Sequence, residues 1–331
     1  MNADPWQREL DVAFRAVRDG AVLARDLRRQ IGQRALLKDD RSPVTVADFA
    51  VQALIAHRLA EMFPDDPLVA EEDAAALRAP GGRAMPQAVL AALQQAAPDL
   101  ESSCVLDMID RGRGTPGERF WTLDPIDGTQ GFIRGDQYVV ALALILREHV
   151  EIGLLGCPEL SLTDRPGGTA GAIAFAVRNR GAFGASLTGD EFLPLRVSGC
   201  RDPRLAHVLR SFEAEHIDLD AFNEIITTMR VETPPMPMDS QAKHFVIASG
   251  RAEMLIRVPA AKAFCDKIWD QAAGSLIIEE AGGRVTDLHG AALDFGVGRL
   301  LSRNEGAIAS NGLLHDAALV AVHLATAGLY R

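Results

Sequence analysis

The chain has 331 residues, of which 48% are hydrophobic and 24% are charged, and its formal net charge is −11. A chain of this length and composition can bury one large core or two medium ones, which predicts an ordinary globular protein. The negative charge disfavours a nucleic-acid polymer as partner, whereas a small phosphorylated molecule stays compatible if metal ions reverse the local sign.

Cysteine spacing and hydropathy indicate a reducing environment away from membranes. Cys104, Cys157, Cys200 and Cys265 are widely separated, which fits free thiols better than a disulfide framework or a zinc site. The longest apolar run, residues 139–146, is too short to cross a bilayer, and the charged N-terminus lacks the apolar stretch of a signal peptide. We therefore expect a soluble, cytoplasmic protein with no membrane partner.

The N-terminal half predicts two helices that flank one antiparallel sheet. Apolar residues recur at helical spacing from Leu10 to about Ile31, after a possible N-cap at Asp4, and a second helix begins shortly before Asp48. Residues 86–97 resemble a helix, and the Gly/Arg-rich residues 111–117 predict a mobile loop. Strands are expected at 68–72, 105–109, 121–124, 138–147, 150–157, 171–177 and 181–184, with a turn at Glu148-His149.

The pattern changes near residues 194–199, where alternating strands and helices begin. We therefore predict two domains, 1–198 and 199–331. Strands are expected at 205–211, 252–258 and 307–310, and helices at 219–229, 239–248, 269–281 and after residue 310.

The most informative stretch is Trp-Thr-Leu-Asp-Pro-Ile-Asp-Gly-Thr, residues 121–129. An apolar strand delivers Asp124, and Pro125 should end that strand because it has no N–H to donate. Asp127 and the intervening Ile126 carbonyl then offer an all-oxygen site of the kind Mg²⁺ prefers.

Two other interpretations of this stretch are open. Asp, Pro and Gly are common turn residues, so the segment could be only a turn. A phosphatase loop with an aspartyl-phosphate nucleophile places its two acids two residues apart, whereas Asp124 and Asp127 are three apart with proline between them. That spacing favours metal ligation. The backbone N–H groups of Gly128 and Thr129 could then hold a phosphate.

Three further acids occupy positions with two interpretations each. Asp48 lies in the predicted first turn of a helix, where it could act in catalysis or simply favour the helix dipole. Glu71 ends an apolar strand, which makes it a plausible metal ligand although adjacent glutamates are usually solvated. Asp270 begins a predicted helix, where capping and metal binding are compatible because a carboxylate has two oxygens.

Four separated motifs resemble those of the inositol-monophosphatase superfamily, a group of metal-dependent, lithium-sensitive phosphomonoesterases. They are residues 42–48, 69–72, 124–129 and 269–274. The resemblance implies an α+β fold, a layered α-β-α-β-α sandwich of the inositol-monophosphatase/fructose-bisphosphatase type. It also implies two or three Mg²⁺ ions, with Asp48 and Thr129 activating the attacking water. The implied metal ligands are Glu71, Asp124, the Ile126 carbonyl, Asp127 and Asp270.

Within the superfamily the sequence is most similar to the 3'(2'),5'-bisphosphate nucleotidases. The long insertion between Glu71 and Asp124 and the segment 293–299 carry this similarity. It implies removal of the 3'(2')-phosphate from adenosine 3'(2'),5'-bisphosphate to give AMP, with the phosphosulfate analogue as a further candidate substrate. The implied substrate-binding residues are Gly128, Thr129, His216, Ser240, Lys243 and Arg257.

Some alternatives stay open at this level. Ser240 could be a helix cap and Lys243 a solvated side chain. Gln130 and the 179–181 turn depart from the nucleotidase pattern, which affects the expected substrate range. An inositol mono- or polyphosphate phosphatase would share the same acids, and a catalytically silent nucleotide-binding regulator is a further alternative.

Overall fold

Helices and sheets alternate in five layers, which is the predicted α+β sandwich. The computed structural model describes residues 5–34, 42–78, 85–162, 170–212, 217–261 and 264–326. Within these residues, no helix is both apolar enough and long enough to span a membrane.

The first two layers are a pair of long helices and a seven-stranded sheet. Helices α1 (Gln7–Arg34) and α2 (Ser42–Met62) pack on one face of the sheet. The strand order is β1-β2-β3-β4-β5-β6-β7, with β1 parallel to β2 and every other pair antiparallel. The strands are β1 (Leu68–Ala70), β2 (Arg119–Asp127), β3 (Val139–Leu146), β4 (His149–Ser161), β5 (Ala170–Val177), β6 (Ala182–Ser186) and β7 (Leu193–Pro194).

Short helices fill the insertion between β1 and β2. They are α3 (Ala75–Arg78), α4 (Met85–Ala96) and α5 (Val105–Asp110). The strand predicted at 105–109 is wrong because α5 places Val105 and Ile109 one turn apart, and both are buried in the core beneath α2. Residues 112–114 are held against β1 by hydrogen bonds, so the predicted mobile loop is also corrected.

The other three layers contain a second sheet between two pairs of helices. Helices α8 (Ala242–Ala248) and α9 (Ala272–Glu280) lie between the sheets, and α7 (Leu219–Met229) and α10 (His315–Thr326) cover the outer face. The sheet order is β11-β12-β10-β8-β9. Its strands are β8 (Val208–Arg210), β9 (Met236–Pro237), β10 (Met254–Arg257), β11 (Arg284–Thr286) and β12 (Ala307–Ser310).

The two sheets separate where the sequence predicts the domain boundary. The first sheet ends at Pro194 and the second begins at Val208. One apolar cluster, however, contains side chains from both sheets and from α8 and α9. The chain therefore passes from one sheet to the other in this region, and the division into two domains at residue 198 stays a prediction.

Candidate metal and phosphate site

The acids of the predicted site are carried by elements that end at one place. Strand β1 runs parallel to β2, with Ala70 opposite Leu123, so the residues that follow these two positions are neighbours, one just beyond β1 and one within β2. Glu71 follows β1 directly, and its N–H donates to the Leu123 carbonyl at 3.2 Å. Asp124 is the next residue of β2. Helix α6 (Thr129–Arg134) begins just beyond this strand.

Strand β2 continues through Pro125, contrary to the sequence prediction that it stops there. The ladder with β3 pairs Asp124 with Ala141 and resumes at Asp127 with Val139, with a register shift between the two. A bulge is one of the few places in a sheet where proline is tolerated, because no ladder hydrogen bond is required of it.

The four predicted acidic ligands lie close enough to perturb one another. Burial is the main cause that raises the pKa of Asp124 well above its usual range, and the charges of Glu71, Asp127 and Asp270 raise it further. Burial, together with the smaller effect of the charges of Asp127 and Asp266, raises the pKa of Asp270 to about 7. These four acids therefore share one electrostatic environment although the segments that carry them lie up to almost 200 residues apart in the chain.

This cluster fits a divalent cation. One oxygen of Asp124, Oδ1, is buried without a hydrogen-bond partner. Glu71 and Asp124 lie within hydrogen-bonding reach of each other, which two carboxylates achieve only by sharing a proton or a cation. An all-oxygen, mutually repelling set of this kind is the donor chemistry of Mg²⁺.

Asp270 combines capping with cluster membership, as the two oxygens of a carboxylate allow. It ends a 3-10 turn (Ile268–Asp270) just before α9, and its Oδ2 accepts the Lys267 N–H at 2.9 Å. The predicted continuous helix 269–281 is therefore a short turn followed by α9, which begins three residues later than expected.

Asp48 lies beside the cluster, in the second turn of α2 and not in the first. The helix dipole acts within the first turn, so the dipole interpretation loses its basis. Burial is the main cause that raises the pKa of Asp48 well above its usual range, and the charges of Glu72 and Glu71 raise it further. The residue is 5% exposed, and the charges that act on it belong to the two residues that follow β1.

Gly128 permits the tight start of α6. Its φ is 90°, in the left-handed region that favours glycine, and an added Cβ would lie 2.9 Å from the Cβ of Ser240. The next residue, Thr129, directs its hydroxyl to the Ile126 carbonyl at 3.4 Å. The predicted metal-binding carbonyl and the predicted water-orienting hydroxyl are therefore neighbours.

Two buried glutamines that the sequence analysis missed hold the acids in place. Gln241 donates its backbone N–H to Asp127 Oδ2 at 2.6 Å, and its side chain bonds the Trp269 carbonyl and the Gly274 N–H. It therefore ties Asp127 to the segment that carries Asp270. Gln52 bonds the backbone N–H and carbonyl of Glu72. It lies one turn after Asp48. The sequence signal for its role was a single polar residue within an apolar helical run.

Lys243 is buried and not solvated, which excludes the interpretation as a surface side chain. It is 7% exposed, and its Nζ donates to the Met238 carbonyl at 2.9 Å. Burial lowers its pKa to about 8, partly offset by the charges of Asp127 and Asp239. Its ammonium therefore belongs to the same electrostatic cluster as the acids.

Arg257, at the end of β10, is the second cation beside the cluster. Its Nη2 lies 2.8 Å from Asp266 Oδ1, and its guanidinium lies 5.4 Å from the ring centroid of Phe264. Asp266 is held in turn by Gln271, whose Nε2 donates to Asp266 Oδ2 at 3.1 Å. Arg257 is therefore oriented by a buried acid, with its charge felt at Asp127 and Asp270.

The remaining predicted substrate residues are less informative. Ser240 adopts a positive φ of 61°, and its hydroxyl accepts the Ala242 N–H at 3.2 Å and donates to the Asp239 carbonyl at 2.7 Å. Ser240 therefore stabilises a local turn, and its contact with substrate stays a prediction. His216 lies outside the described residues.

Comparison with known proteins agrees with this geometry. The sequence matches the Inositol monophosphatase family over residues 6–326. The chain belongs to this family. A 3'(2'),5'-bisphosphate nucleotidase 1 of Candida albicans is 38% identical, with 96% of this chain and 95% of that protein covered. The 3'(2'),5'-bisphosphate nucleotidases of Schizosaccharomyces pombe (92% of each chain covered) and Oryza sativa (96% of this chain and 94% of that protein) are each 37% identical.

Solved structures show the family's fold. The IMPase of Thermotoga maritima superimposes with a TM-score of 0.65 at 21% identity, covering 98% of this chain and 100% of that one. CysQ of Bacteroides thetaiotaomicron, a bacterial member of the inositol monophosphatase family, gives 0.61 at 18% identity, covering 93% and 98%. The predicted family and fold class are confirmed.

Proposed function

We propose that the protein is a Mg²⁺-dependent 3'(2'),5'-bisphosphate nucleotidase, which removes the 3'(2')-phosphate of adenosine 3'(2'),5'-bisphosphate to give AMP. The observation that carries this proposal is the electrostatic cluster of Glu71, Asp124, Asp127 and Asp270 around the buried Asp124, flanked by the cations Lys243 and Arg257. The named relatives at 37–38% identity support the choice of substrate.

The proposed metal ligands are the four acids together with the Ile126 carbonyl, and we expect two or three Mg²⁺ ions. When bound, Mg²⁺ supplies Lewis acidity, lowering the pKa of water and offsetting charge on a phosphoryl group. Ionised carboxylates are required for this binding, and their raised pKa values mean that the cation must displace protons.

The chain's own residues orient the reactants. Asp48 is suited to accept a proton from the attacking water. Its pKa is raised, and no cation is among the causes of that shift. The Thr129 hydroxyl holds the same water beside the Ile126 carbonyl. The backbone N–H groups at Gly128 and Thr129 donate to the phosphoryl oxygens of the group that is transferred.

The second phosphate is held and not attacked. Lys243 and Arg257 give two positive charges at the edge of an otherwise acidic site, which a 5'-phosphate would neutralise. A ribose that carries two phosphates thus matches a site that combines metal-binding acids with two neighbouring cations. His216 and Ser240 stay predicted contributors to this binding.

The test is phosphate release from a panel of substrates with and without Mg²⁺. Adenosine 3',5'-bisphosphate, the phosphosulfate analogue, inositol 1-phosphate and inositol 1,4-bisphosphate are compared by kcat/KM. We expect the adenosine bisphosphate to be the best substrate and the activity to be lost on chelation. A preference for an inositol phosphate would support the alternative function, and no release from any of them would identify a silent binding protein.

A further inference from the structure

Arg299 lies between the two backbone segments that carry Glu71 and Asp270. It belongs to the long connection between β11 and β12 and ends segment 293–299, which has no part in the reaction described above. We propose that Arg299 is a positioning residue that fixes the separation of Glu71 and Asp270 for metal binding. The inference rests on the metal site of the proposed function.

The side chain of Arg299 holds the β1 side of the site. Its Nη2 donates to the carbonyl of Ala70, the residue directly before Glu71. Its Nη1 donates to the Gly112 carbonyl at 3.2 Å, and Gly112 accepts the Ala70 N–H on the same oxygen at 2.8 Å. The guanidinium therefore closes the outer edge of β1, the terminal strand of its sheet in the described residues.

Close packing in this region leaves little room for adjustment. An added Cβ at Gly112 would lie 2.4 Å from Nε2 of Gln52 and 2.9 Å from the Glu72 carbonyl oxygen. The backbone at 70–72 is therefore enclosed by Gln52 on one side and by Gly112 with Arg299 on another. A shift of Arg299 would be transmitted to Glu71 without a gap to absorb it.

The main chain of Arg299 holds the Asp270 side of the site. Its carbonyl accepts the Ile268 N–H at 3.1 Å, and its guanidinium lies 4.8 Å from the ring centroid of Trp269. The residues that follow continue this pairing, because Leu300 bridges Lys267 and the Leu301 N–H donates to the Asp266 carbonyl at 2.9 Å. The turn that ends in Asp270 is thus fixed to the backbone of Arg299.

Arginine suits this position better than lysine. Its planar guanidinium donates to several carbonyls at once and stacks on an indole ring, whereas an ammonium is a compact point charge. One residue therefore links a carboxylate delivered by the first sheet to a carboxylate delivered beside the second. Supporting residues of this kind usually change metal affinity by about 10- to 100-fold when removed.

The experiment compares Mg²⁺ binding by isothermal titration calorimetry, without substrate, in wild-type protein and in Arg299→Met and Arg299→Lys. Arg303→Met is the matched control, since Arg303 lies in the same connection, is exposed, and pairs with the nearby Asp294 at 2.9 Å. Circular dichroism checks the fold of each variant. The Mg²⁺ dependence of phosphate release is measured alongside.

We expect Arg299→Met to raise the Mg²⁺ dissociation constant about 10- to 100-fold, Arg299→Lys to raise it less, and Arg303→Met to leave it unchanged. Saturating Mg²⁺ should restore the turnover of the Arg299 variants, which a general loss of structure would not allow. Wild-type Mg²⁺ affinity in Arg299→Met overturns the inference, as does a wild-type protein that binds no Mg²⁺. If Arg299→Met does not fold, Arg299→Lys decides in the same way.

The proposed function fails on a different result. A wild-type protein that binds Mg²⁺ but releases no phosphate from adenosine 3',5'-bisphosphate contradicts the substrate assignment alone. The calorimetric comparison of the Arg299 variants still stands in that case.

Discussion

Replacing Asp127 by asparagine removes one charge from the centre of the acidic cluster while keeping the shape of the side chain. Asp127 raises the pKa of Glu71, Asp124 and Asp270, so its loss relieves repulsion at three carboxylates. It also removes the charge that partly offsets the burial of Lys243. The asparagine oxygen can still accept the Gln241 N–H, which Asp127 accepts at 2.6 Å.

These opposing effects predict a folded but inactive variant. Because the repulsions relieved and the attraction lost oppose each other, we expect the free energy of unfolding without Mg²⁺ to change by less than about 2 kcal/mol. Removing a supporting residue of a metal site costs about 10- to 100-fold, so removing a ligand itself should lower kcat/KM by more than about 100-fold. A loss of that size corresponds to about 2.7 kcal/mol of transition-state stabilisation.

The assay is phosphate release from adenosine 3',5'-bisphosphate at saturating Mg²⁺, together with urea unfolding of the same preparation. Asp65→Asn is the control, since Asp65 is exposed and lies in the loop before β1. An Asp127→Asn variant with activity within about threefold of wild type would refute the ligand assignment. A variant that unfolds would instead show that the carboxylate is a structural group.

Three further predictions follow from the site. Lys243→Met should raise KM for adenosine 3',5'-bisphosphate more than KM for adenosine 3'-monophosphate, and an equal effect on both substrates in steady-state assays counts against a role at the 5'-phosphate. Gly128→Ala should lower both kcat and the melting temperature, because φ is 90° and the new Cβ would lie 2.9 Å from Ser240 Cβ; an active, equally stable alanine variant would contradict the tight turn. Burial raises the pKa of Asp270 from 3.8 to about 7, so without Mg²⁺ the folded protein keeps a proton that the unfolded chain releases. Stability should then fall as pH rises through this range, by on the order of 4 kcal/mol from this group. Asp270→Asn should flatten that fall in urea unfolding from about pH 4 to about pH 8, and an unchanged slope would show that Asp270 ionises normally.

Local motifs predicted most of the site because its acids are placed by short-range rules. Asp124 and Asp127 lie in the last part of β2, and Glu71 follows the parallel neighbour of that strand, so the approach of Glu71 to these acids needs only the pairing of β1 with β2. The family resemblance supplied the order of layers, which the structure confirms. Hydrophobic pattern alone would have left the second sheet's mixed strand order undetermined.

The residues that support the acids could not be predicted in the same way. Gln241, Gln52 and Arg299 act through backbone groups far away in the chain, and the hydrogen bond from Arg299 to Ala70 spans 229 residues. No local pattern encodes such a partner. The prediction for segment 105–109 was wrong for another reason. A short run that is mostly apolar fits a strand as well as a short helix, and packing against α2 decides between them.

The central claim is that water attacks phosphorus at a site made by metal-binding carboxylates. It is tested most directly by hydrolysing adenosine 3',5'-bisphosphate in ¹⁸O-labelled water and analysing both products by mass spectrometry, with Mg²⁺ or with a chelator. We expect label in the inorganic phosphate, none in AMP, and no reaction after chelation. Label in the ribose hydroxyl of AMP, or undiminished hydrolysis in the chelator, would contradict it.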